Sequence, residues 1–410
     1  MKFSKLRQLL VVSAIGLGAA TLFSGCQLVT IDYLFVATSA GTIPGASGKT
    51  CPNGVIEVYA VDSQSGAIRT GAEGVCSGGS LPNVLAVSPG YQNLYVANQT
   101  DKNIVHFTLA SSGVLTNKDT VTLADPVTAM AVSPDGNSLY VLSGTTSATL
   151  SVFGLSSGAL GSTPESQYPL TIPGFATDLV VPTAVAVLPS GKAVYVTAYD
   201  KSSYNPGGST TSAASPGWLY GFAVGSGGAL TPTPGSPYNA GVKPSGIAAD
   251  PMNSYLYVTD FASNQLIGYG VYSGFAVNFL LNGPYKSGGQ PSAVTVDPRG
   301  RFMYVSNSLD SSVSAYVIDL QSGVPSSAVN TTGSQTNITD TQPVALAVDP
   351  ALARFVYTAN YLGNSVSGFR LDPTAGTLKP TQATPYPVGI HPAAVALVPH
   401  GNHSIQVVTP

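Results

Sequence analysis

Charge is what this 410-residue chain has least of: Asp, Glu, Lys and Arg together make 9%, against about 25% in ordinary globular proteins. Nucleic-acid binding needs clustered Lys and Arg to neutralise phosphates, and the basic residues here form no cluster. That class is excluded. Glutamate occurs at three positions, Glu57, Glu73 and Glu165, so a carboxylate-built calcium cage is not expected. Three cysteines cannot supply four zinc ligands at metal spacing. The expectation is therefore no metal and no cofactor. The one long apolar run, Leu9 to Leu22, falls short of the ~20 residues that span a bilayer. Against these absences stand 45 Gly, 31 Pro, 21 Tyr and 44% hydrophobic residues. So much apolar and aromatic surface belongs to a packed protein, and so many turn formers to one made of short strands.

Lys2, Lys5 and Arg7 before the apolar run make residues 1–25 a targeting segment. Its end, Leu22-Phe23-Ser24-Gly25-Cys26, resembles a bacterial lipobox, which implies lipidation at Cys26 and anchoring in the cell envelope. Phe23 stands where Leu is usual, and an ordinary cleaved signal peptide is the other reading. Removal of residues 1–25 takes three positive charges, and 13 basic against 19 acidic residues leaves −6. The remaining Cys51 and Cys76 are expected to form a disulfide in an oxidising compartment, worth roughly 3 kcal/mol, or else to be two buried thiols.

Residues 26–410 read as one domain built from a repeat. Pro89, Pro134, Pro189, Pro251, Pro298, Pro350 and Pro399 recur at intervals of 45, 55, 62, 47, 52 and 49 residues, the range of four-stranded propeller blades. A second Pro lies seven residues upstream in six units (Pro82, Pro182, Pro244, Pro291, Pro343, Pro392) and eight upstream at Pro126, where a register shift is expected. Between the prolines small and branched residues alternate, as in Ala293-Val294 and Ala345-Leu346, so both faces of this strand are apolar and buried. That suits the innermost strand of a blade. The next strand carries Tyr-Val or a variant (Tyr95, Tyr140, Tyr195, Tyr257, Tyr304, Tyr357), and a Gly-x-Leu turn at Gly113, Gly158, Gly228 and Gly376 leads outward. Fold class is all-β: a seven-bladed β-propeller of four-stranded antiparallel blades, its ring closed by strands from both termini. Leu34 to Ala37 and Ile405 to Thr409 compete for the closing slot.

The stretches PSGIAADPMNSYLYVTD (244–260), PSAVTVDPRGRFMYVSN (291–307) and LTPTPGSPYNAG (230–241) resemble the Tyr-Val-Thr-Asn β-propeller repeat and the seven-bladed lactonase, or 6-phosphogluconolactonase-like, family. The resemblance spans about residues 30 to 410. It implies a seven-bladed ring and hydrolysis of a sugar lactone.

Function in such a ring is expected at one channel mouth, where the residues before the upstream prolines gather: Leu81, Asp125, Val181, Lys243, Gln290, Gln342 and His391. Asp125, Lys243 and His391 are the candidate catalytic groups. A lactonase needs a base for water (His391 or Asp125) and a cation for the developing oxyanion (Lys243). Gln290 and Gln342, with Asn98, Asp260, Asn307 and Asn360 from the ends of the second strands, are candidate substrate ligands. The structural alternative makes the pre-proline residues extended backbone and the Asn/Asp set turn caps. Two long loops on this face, Ser39 to Asn53 and Tyr199 to Pro216, are lids or surface excursions. Arg299 and Arg301 flank a turn on the opposite face. The competing function class is a non-catalytic surface propeller that binds glycans or proteins. Either way the expected partners are a sugar lactone or glycan and the membrane, with no nucleic acid, and the chain is expected to be a monomer.

Overall fold

A computed structural model describes residues 29–45, 48–172, 179–203, 216–329 and 333–401. Cys26 and the candidate closing strand Ile405 to Thr409 lie outside the described residues, as does most of the loop after Tyr199. Seven antiparallel sheets form seven blades around an axis. Blade 6 is representative, with strands Pro291–Val296, Phe302–Asn307, Ser312–Ile318 and Pro325–Ser327 in order from the axis outward. In every blade but the second, the outer edge is two short strands that both pair with the third.

Blade 1 closes the ring. Its innermost strand is the C-terminal Ala394–Pro399, and its second strand is the N-terminal Thr30–Thr38, paired from Asp32↔Pro399 to Ala37↔Ala394. Leu34 to Ala37 thus occupies the closing slot.

The sequence motifs correspond to particular joints between blades. Each Tyr of the Tyr-Val pair stands on a second strand, and four of the six reach the Gly turn of the next blade. Tyr95 donates to Gly158 O (2.6 Å), Tyr257 to Gly323 O (2.7 Å), Tyr304 to Gly376 O (2.9 Å) and Tyr357 to Gly66 O (2.7 Å). Burial pushes these phenols up, Tyr95 to about 12, so they stay protonated donors.

In blades 2 to 7 the pairing of first and second strands shifts by one residue directly after the first inner position, as between Pro291 and Ala293. A proline has no N–H to give the ladder, and this bulge is where the strand tolerates it. The extra residue turns its side chain to the neighbouring blade: Ser245 Oγ donates to Pro291 O (2.6 Å), Ser292 Oγ to Pro343 O (2.8 Å) and Asn83 Nδ2 to Val127 O (2.9 Å). These bonds staple adjacent blades beside the mouth. Ser292→Ala should therefore cost about 1–2 kcal/mol, read as a lowered denaturation midpoint, and an unchanged midpoint would remove the staple from the stability account.

The long loop after Thr38 is anchored. Gly41–Thr42 pairs with Thr50–Cys51, the Cys51 and Cys76 sulfurs are bonded, and Ala40 bridges to Ile390. It is a stapled hairpin beside the strand entrance to blade 1.

Candidate functional site at the channel mouth

The mouth is set by one recurrent bond. The carbonyl of the residue before the first inner position accepts an N–H from the residue after the second strand: Gln99 N to Leu81 O (3.0 Å), Phe261 N to Lys243 O (2.9 Å), Ser308 N to Gln290 O (3.0 Å) and Tyr361 N to Gln342 O (2.8 Å). In blade 3 the same bond runs from Gly144 N to Pro126 O (3.1 Å), and Val127 takes the register that Pro82 has in blade 2. Pro126 is therefore the ring residue of that blade. Asp125 stands one position earlier, exposed in the cleft lined by Thr122, Ser151 and Gln167. Counting back from a displaced proline had moved the expectation by one residue.

Four pre-proline residues also depart from extended backbone: Leu81, Gln290, Gln342 and His391 have φ of 56°, 51°, 59° and 50°. Left-handed backbone costs a non-glycine residue about 1–2 kcal/mol. Asn side chains help hold it, since Asn264 Oδ1 accepts Gln290 N–H (2.7 Å) and Asn364 Oδ1 accepts His391 N–H (2.8 Å).

Lys243 and His391 both rest on aromatic rings. Lys243 Nζ lies 5.5 Å from the Tyr199 centroid and 4.7 Å from that of Phe261. Burial holds its ammonium below the usual lysine range. The His391 imidazole stacks on Tyr361 with centroids 4.5 Å apart and planes 8° from parallel. The three rings share one structural position, the residue immediately after the conserved register of the second strand, in blades 4, 5 and 7. Lys243 enters blade 5 and His391 enters blade 1, so three blade steps separate them around the ring. Gln290 and Gln342, both partly exposed, occupy the arc between them.

The sequence model described as "Lactonase, 7-bladed beta-propeller" matches residues 102–385. The chain belongs to this lactonase family. No curated protein sequence matches it. Among solved structures, this lactonase-family propeller is similar to a periplasmic gluconolactonase of Pseudomonas aeruginosa, at 19% identity and TM-score 0.70, covering 90% of this chain and 99% of that one. It is also similar to a protein of Bacteroides fragilis described as a putative 6-phosphogluconolactonase, at 15% identity and TM-score 0.69, covering 91% and 99%. At these identities the likeness concerns the fold.

The second-strand polar set of the family propeller is out of a substrate's reach. Asn98, Asp260, Asn307 and Asn360 are fully buried. Asp260 accepts the N–H groups of Val242 and Lys243 (2.9 Å each) and Gln265 Nε2 (3.0 Å). Asn307 accepts Gly288 N–H (3.1 Å) and donates to Ser312 and Ser314, and Asn360 donates to Ser365 and Ser367. Asn98 donates to Ser77 O and to Asn103. These side chains cap their own blades, and Asp260 fixes the backbone that carries Lys243. Tyr199, Phe261 and Tyr361 were absent from the sequence expectation. Their shared position one residue past each Tyr-Val strand was the available signal.

Proposed function

We propose that this propeller hydrolyses an uncharged sugar lactone at the channel mouth, after export and anchoring through a lipid on Cys26. The carrying observation is the pair of aromatic-seated groups, Lys243 between Tyr199 and Phe261 and His391 on Tyr361, facing one mouth. A sugar ring presents C–H faces that stack on such rings, and its hydroxyls suit the amides of Gln290 and Gln342. His391 takes a proton from water as the water oxygen bonds to the lactone carbonyl carbon. Lys243 stabilises the oxyanion that forms. The ring C–O bond then breaks, and the imidazolium returns the proton to the departing ring oxygen, leaving an open hydroxy acid. Lys243 is the single cation at the pre-proline positions, so a phosphorylated lactone is a poorer match. The similarity to the Pseudomonas aeruginosa protein described as a periplasmic gluconolactonase supports both the substrate class and an exported address.

Purified residues 27–410 should turn over glucono-1,5-lactone, and Lys243→Ala and His391→Ala should each lower kcat/KM by about 10²–10³. Lys243 acts while protonated and burial lowers its pKa, so activity should fall with rising pH before the ordinary lysine range near ~10.4 is reached. A rate unchanged in the double variant sinks the assignment. The aromatic rings also favour a second reading, a non-catalytic glycan-binding propeller, and absence of turnover on a lactone panel together with binding to cell-wall glycans would establish it.

A further inference from the structure

Blade 1 carries a buried acid where the other blades carry none. Glu57 lies on the third strand, Val55–Asp62, and is 1% exposed. Its strand partner is Val36, and at the same register blades 6 and 7 have Ser314 and Ser367, while blades 2 and 5 have Val105 and Ile267. A carboxylate removed from water costs several kcal/mol unless its oxygens are satisfied. Those of Glu57 are. Oε1 accepts the Gly389 N–H at 2.7 Å and the Thr38 hydroxyl at 3.1 Å, and Oε2 accepts the Tyr59 hydroxyl at 2.5 Å.

Gly389 begins the segment that delivers His391. Its counterpart in blade 6 is Gly288, whose N–H goes to Asn307 at the end of the second strand. The second strand of blade 1 ends in Thr38, whose hydroxyl donates to Glu57 instead. The acid therefore does from the third strand what the Asn does elsewhere. The rest of the segment is tied as well: Ile390 N to Ala40 O (2.9 Å), Ser39 N to Ile390 O (2.8 Å) and His391 N to Asn364 Oδ1 (2.8 Å). Gly389 also sits directly on the carboxylate, since a Cβ there would lie 2.4 Å from Glu57 Oε1.

We propose that Glu57 is a positioning residue, whose buried carboxylate clamps Gly389 and thereby holds the His391 imidazole against Tyr361 in its working place. This rests on His391 being the base. Glu57 touches no substrate. Burial raises its carboxyl pKa, and the three donors oppose that shift, as expected of an acid kept for its hydrogen bonds.

The test compares Glu57→Ala with Glu57→Gln. The Gln carbonyl can still accept from Gly389 and Thr38, so Gln should retain most of the kcat on glucono-1,5-lactone, whereas Ala should lose about tenfold or more in kcat with KM little changed. In parallel, the His391 ring resonance, assigned by its disappearance in His391→Ala, should shift in Glu57→Ala and stay in place in Glu57→Gln. Gly389→Ala, which pushes the segment off the carboxylate from the other side, should give the same shift and serves if Glu57→Ala does not fold. Reduced thermal stability with kcat and the His391 resonance both unmoved would overturn the inference. A wild type without lactone turnover would defeat the proposed function instead, and the resonance alone would then decide whether Glu57 positions His391.

Discussion

Gly376→Ala should cost about 2–4 kcal/mol of stability, whereas Gly228→Ala, at the same turn of another blade, should cost only about 1. Both glycines have positive φ, 71° and 74°, so the backbone part of the cost is shared. The difference lies in what a Cβ would meet. At Gly376 it would fall 2.3 Å from Phe302 Cδ1, inside a ring that is 1% exposed, and on the turn whose carbonyl receives the Tyr304 hydroxyl. At Gly228 the nearest atom is Ser138 Oγ at 3.7 Å. The same seat recurs at Gly323 against Tyr255 and at Gly66 against Phe355.

Blade 5 shows the inverse solution. There the turn residue is Phe275, φ 61°, and the position corresponding to Phe302 is Ala193. Its carbonyl still receives a tyrosine, Tyr195, at 2.7 Å. At these four joints one large side chain fills the seat and either partner can supply it, whereas at Gly228, against Ser138, neither does. Phe302→Ala should accordingly recover part of the loss in Gly376→Ala, a positive coupling in a double-mutant cycle read from denaturant midpoints. Equal costs at Gly376 and Gly228 would show that backbone strain, rather than packing against Phe302, explains the glycine.

Much of this was legible because the repeat writes scaffold contacts into sequence. Tyr-Val and the turn glycines recur because most of these Tyr residues bond to a turn carbonyl of the next blade, and the alternation of small and branched residues reports an inner strand squeezed on both faces. Blade number and closure by strands from both termini follow from the same count, while the choice of Leu34 to Ala37 over Ile405 to Thr409 stays open until strand pairing decides it. What the sequence hid depends on register. The eight-residue spacing at Pro126 signals a register shift without saying on which side of the proline it falls, and the hydrogen bond from Gly144 aligns Val127 with Pro82 and takes Asp125 off the ring. Asn307 and Asn360 looked like ligands because polar strand ends do line many mouths. Here strand pairing turns them inward onto serines of their own blade. The rings beneath Lys243 and His391 come from sequence-distant loops, and no local pattern pairs Tyr361 with a residue of the closing blade.

Asp32→Asn should stabilise the protein at pH 7–8, by about 1–3 kcal/mol, and flatten its pH dependence. Asp32 lies on the N-terminal strand that closes the ring, paired with Pro399 and Val61, and is fully buried. Neither carboxylate oxygen has a hydrogen-bond partner among the described residues. Burial first, then the nearby Asp349 carboxylate, push its pKa well above the usual range, and the Arg354 guanidinium opposes them. The folded chain thus holds this proton more tightly than the unfolded chain does. Stability is then highest below the unfolded value near ~3.9 and falls as pH rises from there through the folded pKa. Asn keeps the shape and cannot ionise, so that loss disappears. At the same register blades 6 and 7 carry Arg301, which is exposed, and Arg354, which is half-buried, whereas the carboxyl of the closing blade is fully buried. If wild type and Asp32→Asn keep the same midpoint difference from pH 4 to pH 8, Asp32 does not titrate with folding. If the difference grows with pH, amide protection factors in Thr30–Thr38 and Ala394–Pro399, taken relative to the intrinsic exchange rate at each pH, should fall at high pH in the wild type alone, because the strain of the charged carboxylate falls on the seam where the two ends of the chain meet.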